Sequence, residues 1–184
     1  ERDPAPSKIP GAALEFDISS LGEIASTRLY IMEGIAEVKW KSGARLITFI
    51  HPDRPVGWYK FENASVTPVL LPPDYEGSNI STGNSVDGQG LPRLGYQQGT
   101  LSTTTNSADY LQKGWNNFEY QVNVTWKKTT KGMEGVWSVS SNSPYNTTHT
   151  VAREVSHQAM LRGFQKDLAD HKKWWMNFWN QSSD

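Results

Sequence analysis

The chain has 184 residues, no cysteine, eight tryptophans and a formal net charge of -1. That length suits one domain whose core needs no staples, and the missing cysteines exclude a disulfide framework, a thiolate metal site and a cysteine nucleophile. The balanced charge argues against a basic nucleic-acid face, and a chain with 36% hydrophobic and 11% aromatic residues is too apolar for intrinsic disorder.

Most of the chain reads as β. Strands are predicted over residues 13–18 and 27–32. The next is clearer, because Ala36, Val38 and Trp40 alternate with Glu37, Lys39 and Lys41. Ser42-Gly43 then forms a tight turn into a strand over 44–51. Further strands are predicted over 56–62 and 66–71. Residues 72–106, rich in Gly, Pro, Ser, Thr and Asn, read as one long loop with a short strand near 94–97. In residues 117–126, Phe118, Tyr120, Val122, Val124 and Trp126 alternate with five polar residues. Such a strand buries one face and wets the other. A last strand is predicted over 135–140. This spacing suggests an antiparallel sandwich.

From residue 151 the period changes to that of a helix, broken or merely interrupted at Gly163. Leu161, Phe164, Leu168, Trp175 and Phe178 fall near one face. Trp174 with Phe178, and Trp175 with Trp179, are i,i+4 pairs that meet on a helix surface.

No motif marks a catalytic centre. The histidines, at 51, 149, 157 and 171, show no metal-ligand spacing, so no metal and no cofactor is expected. No nucleophile elbow or phosphate loop is present. Acid pairs such as Glu15 with Asp17, and Asp74 with Glu76, are expected at solvent-facing positions. Asn63, Asn79, Asn123, Asn146 and Asn180 open N-x-S/T triplets that read as incidental, and Asn123 lies mid-strand. No apolar run reaches the roughly 18 residues of a membrane span.

The aromatics carry the binding reading. Trp or Tyr stacks on the flat apolar face of a sugar ring. Trp58, Tyr59, Tyr75 and Trp115 lie in or beside loops rich in Asn, Gln and Asp, and are the candidate carbohydrate contacts. Core packing is the competing reading for each. Trp40 and Trp126, on apolar strand faces, read as core, and so does Trp137.

One stretch resembles a known family. His171-Lys172-Lys173-Trp174-Trp175-Met176-Asn177-Phe178-Trp179-Asn180-Gln181-Ser182 is similar to the H-x-x-W-W-x-x-F-W-x-x-S stretch that links two domains in bacterial glycosidases of the six-hairpin, (α/α)6-toroid type. Family 95-like hydrolases and relatives in polysaccharide-degrading Bacteroidetes belong to that group. Residues 34–43, Phe49-Ile50-His51 followed by Pro55-Val56, and Tyr110-Leu111-Gln112-Lys113-Gly114-Trp115 also resemble its sandwich segments. The resemblance implies a mainly β fold, an antiparallel β super-sandwich of the galactose mutarotase kind over residues 1–150, truncated at its N-terminus. Linker helices over 151–184 would lead to a catalytic domain. His171, Trp174, Trp175, Phe178 and Trp179 would form the domain interface. The catalytic acids of the family lie in the toroid, so no position here receives them. The implied role is a non-catalytic accessory domain of a glycoside-hydrolase-like protein, periplasmic or extracellular, with an attached (α/α)6 toroid as partner. Neither a nucleic acid nor a membrane is expected as a partner. A stand-alone carbohydrate-binding module that takes an oligosaccharide, or a structural interaction domain, is the alternative.

Overall fold

The computed structural model describes residues 11–73, 95, 97–142 and 151–182, with the side chain of Trp115 outside that description. The fold is mainly β, with two antiparallel sheets and two C-terminal helices. The large sheet takes the order β2 (Ile24–Tyr30), β3 (Ile35–Trp40), β4 (Arg45–Ile50), β5 (Val56–Glu62), β10 (Gly132–Ser141), β9 (Glu119–Thr129), β8 (Ser107–Lys113) and β7 (Thr100–Thr103). The small sheet pairs β1 (Ala13–Phe16) with β6 (Pro68–Leu71). Helices α1 (Ala152–Arg162) and α2 (Phe164–Gln181) complete the described chain. Neither helix is long and apolar enough to cross a membrane.

Strand β5 shows why this sheet needs cover on both faces. It lies between β4 and β10, and its residues alternate between two cores. Tyr59 and Phe61 point into the first core, with Trp40, Tyr110, Val124, Trp126 and Met133. The small sheet closes that side with Leu14, Phe16 and Leu70. Val56 and Trp58 point the other way, into a second core with Ile35, Ile47, Phe49 and Val136. Ala159 of α1 and Phe164 of α2 cover it. Each large apolar side chain so buried contributes roughly 1.5–3 kcal/mol.

The predicted tight turn at Ser42-Gly43 is present. Gly43 takes a φ of 87° and donates to the Trp40 carbonyl at 3.0 Å, which closes the β3–β4 hairpin. The predicted core positions Trp40 and Trp126 are buried, and Trp137 is half-buried against the first core.

Three expectations need correction. First, the loop reading of residues 72–106 fails at its C-terminal end, where β7 forms and pairs with β8. All four β7 side chains are exposed, so this edge strand has no apolar alternation. Leu94 and Tyr96 of the predicted short strand lie outside the described residues, and Gly95 and Gln97 are not in a strand. Second, the polar face of β9 is not wet. Helix α1 lies over it, and Asn123 is fully buried, donating to Asp109 at 2.8 Å. Arg153 of α1 grips the same Asp109 carboxylate through two bonds of 3.1 and 2.7 Å. The Ala152 N–H donates to Ser140 Oγ and Gln121 Oε1. Buried polar groups hold a fold when each finds a partner, and here α1 supplies several. Third, the helical apolar face does not run through Gly163. That residue ends α1 with a φ of 85°, so two helices form and Leu161 is left 67% exposed.

Candidate functional site

The chemically richest region is the seam between α2 and the edge of the large sheet. A stripe of Phe164, Asp167, His171, Trp175 and Trp179 faces the protein, at spacings of three and four residues. The stripe meets two loops, the β2–β3 turn at residues 31–34 and the β4–β5 loop at 51–55.

The upper half of the stripe clasps the β2–β3 turn. His171 Nε2 lies 3.0 Å from the Gly34 carbonyl, and Trp179 Nε1 donates to the Ile31 carbonyl at 3.2 Å. Lys172 pairs with Glu33 at 2.6 Å. The Trp175 indole lies directly on Gly34, whose φ is 62°. Glycine is needed there twice over: the left-handed backbone disfavours a side chain, and a Cβ would strike the indole. Gly34→Ala is therefore expected to cost about 1–2 kcal/mol from backbone strain alone. Hydrogen exchange should show residues 164–182 losing protection in this variant. Unchanged protection and stability would remove Gly34 from the seam.

The lower half is built on Asp167, a fully buried carboxylate in the first turn of α2. Arg162, the last residue of α1, donates to both its oxygens at 2.9 and 3.1 Å. The Trp58 indole N–H donates at 2.9 Å, and Arg54 Nη1 at 3.4 Å. Burial alone would raise the Asp167 carboxyl. The bonds from Arg162 and Trp58 and the charges of Arg162 and Arg54 outweigh it and hold the group below the usual carboxylate range. Arg54 also lies 2.7 Å from His51 Nε2.

His51, Asp167 and Asp170 bring possible ligand atoms within 4.8 Å of one another. They are not a metal-ligand set. Four N–H donors already fill Asp167, Lys166 bonds Asp170, and the Arg54 guanidinium takes the cation's place beside His51. The arrangement fastens α1, α2, β5 and the β4–β5 loop to one carboxylate.

Trp174 and Phe178 adjoin the stripe on the same side of α2, in ring contact with Trp175. Trp174 and Phe178 stack on each other with centroids 5.4 Å apart and planes 7° apart, as their i,i+4 spacing predicts. Phe178 is 41% exposed and Met176 57%. Of the predicted interface residues, His171, Trp175 and Trp179 contact the β2–β3 turn, while Trp174 and Phe178 pack against Trp175 beside them.

The carbohydrate candidates fare differently. Trp58 and Tyr59 need correction: both are buried, Trp58 completely, on opposite faces of a central strand. Neither ring offers a face to a sugar. Burial pushes the Tyr59 phenol up, and its hydroxyl has no partner among the described residues. Tyr75 lies outside the described residues. Trp115 opens a single 3-10 turn, and its side chain is outside the description. Asn63 and Asn180 are exposed and Asn123 is buried, while Asn79 and Asn146 lie outside the described residues. Glu15 and Asp17 are exposed as expected, whereas Asp74 and Glu76 lie outside the description.

Sequence reading missed the Asp167 cluster. Arg54 and Asp167 stand 113 residues apart, and Arg162 reaches Asp167 only because Gly163 turns the chain between the helices. Searches with protein-family models and against curated proteins found no match to this chain.

Proposed function

We propose that this chain is a non-catalytic accessory domain of a glycoside-hydrolase-like protein that acts in polysaccharide degradation, periplasmic or extracellular. In this reading α2 is a joint. Its inward stripe grips the sandwich, and the adjoining, partly exposed Trp174 and Phe178 receive an attached (α/α)6 catalytic domain. The observation that supports it is the α2 aromatic cluster, which bonds the sheet edge through Trp179 yet leaves Phe178 41% exposed. A partly exposed aromatic cluster on a docked helix suits a further neighbour that covers it. The interior positions of Trp58 and Tyr59 weaken the reading as a stand-alone carbohydrate-binding module.

Hydroxyl-radical footprinting tests the joint. Met176 and Phe178 should label readily in the 184-residue chain and be protected in the native secreted protein. The isolated chain should hydrolyse no glycoside. Equal labelling in both forms, or a reading frame that ends after Asp184, sinks the reading. Glycan-array binding that is lost in Trp115→Ala would favour the binding module instead.

A further inference from the structure

We propose that α2 is an acid-sensitive latch: protonation of His51 and His171 frees it from the sheet edge while the β-sandwich stays folded. The inference is independent of whether a catalytic domain follows.

Two histidines flank the seam, and both are built to stay neutral. His51 follows β4 directly and is buried. Its Nδ1 accepts the Asp53 N–H at 3.2 Å, and its Nε2 faces Arg54 Nη1 at 2.7 Å. The neutral ring can accept at only one of these nitrogens; an imidazolium carries N–H on both, so protonation removes that acceptor and leaves a donor against a donor on each side. His171 is buried on the inner stripe, its ring 4.6 Å from Phe49. Its Nε2 faces the Gly34 carbonyl and so carries the proton of the neutral ring. Its Nδ1 is buried with no partner among the described residues, and that is where a second proton must go.

The charges around each ring set the direction. Burial and the Arg54 charge push His51 down, against Asp167 and Asp53, with His171 also opposing its protonation. Asp170 lies near it on α2, bonded to Lys166. Burial pushes His171 down, with help from Lys172, against the carbonyls of Gly34, Glu33 and Ile50. Both therefore lie below the ordinary histidine value. A released helix exposes both rings and takes up protons first. Docking is thus fully favoured above about pH 6.5 and weakens as pH falls toward the docked values.

The effect is local because of where these rings lie. Both touch α2, the β2–β3 turn or the β4–β5 loop. The first core contains no histidine. Helix α1 has its own grip on β8, β9 and β10 through Arg153 and Ala152.

Hydrogen exchange on the 184-residue chain at about pH 7.5 and about pH 5, corrected for intrinsic rates, tests the latch. Residues 164–182 should lose protection roughly tenfold or more at the lower pH, while β9 and β10 keep theirs. The double variant His51→Gln and His171→Gln should hold α2 protected at both values, since each glutamine keeps a donor and an acceptor without titrating. Loss of α2 and sheet protection together, or the same loss in the double variant, overturns the proposal. Should that variant fail to fold, NMR titration of the two wild-type rings decides. Both should titrate below about 6.5 and in step with α2 release. Titration at the ordinary value, or without a change at α2, overturns it.

Discussion

Trp58→Ala is expected to lower the unfolding free energy by about 3–5 kcal/mol, the usual range for removing a large aromatic from a core. The ring is fully buried in the second core and meets Phe164 edge-on, with centroids 5.6 Å apart and planes at 85°. Truncation opens a cavity between the sheet and α2. It also takes one hydrogen bond from the buried Asp167 carboxylate. Trp58→Phe should cost less, because it keeps most of the volume and forfeits mainly that bond. Urea unfolding of the three proteins checks the order. A loss below about 1 kcal/mol for the alanine variant would place Trp58 at the surface after all.

The second large effect is expected from Asp167→Ala, at about 2–4 kcal/mol. Removing the carboxylate strands the Trp58 indole N–H in the core and leaves two guanidiniums facing each other. The side chains of Arg162 and Arg54 are 29% and 36% exposed, so water can relieve part of the lost pairing. Asp167→Asn should fall between, since its one oxygen can still accept from Trp58. The pH dependence has a definite sign. Asp167 titrates below its ordinary range, so its contribution is complete above about pH 4 and is lost only as pH falls through the lower folded value. The deficit of the alanine variant, read from denaturant midpoints, should therefore be constant above about pH 6.5, where α2 is fully docked, and be lost below about pH 4.

How much of this was legible in the sequence depended on whether a residue's partner was local. Strands β3 and β9 could be read because their apolar residues alternate. So could the Trp174–Phe178 pair, whose spacing places the rings together on any helix. Strand β8 was illegible because Asp109 and Gln112 are buried polar residues that break its pattern. Their burial makes sense only once Arg153 arrives from α1 to pair with Asp109. Trp58 and Tyr59 misled for a related reason. They follow Pro55 and Gly57, a loop-like setting, yet β5 is central and two-sided alternation takes both rings inward. The Asp167 cluster gathers residues from four separate elements, and no spacing in the chain announces it.

The strand order has a kinetic consequence. β2 to β5 form one meander of sequential hairpins, and β7 to β10 form another, laid down in the reverse direction. Each hairpin closes over a short stretch of chain. The two halves meet at a single pairing, β5 with β10, where Trp58 stands opposite Val136 and Glu62 opposite Gly132. Loop-closure entropy for the large sheet therefore falls almost wholly on that one junction. The sheet is assembled from two quickly formed ribbons and one slow join, and the residues that stabilise the finished core most are those that wait longest for their neighbours.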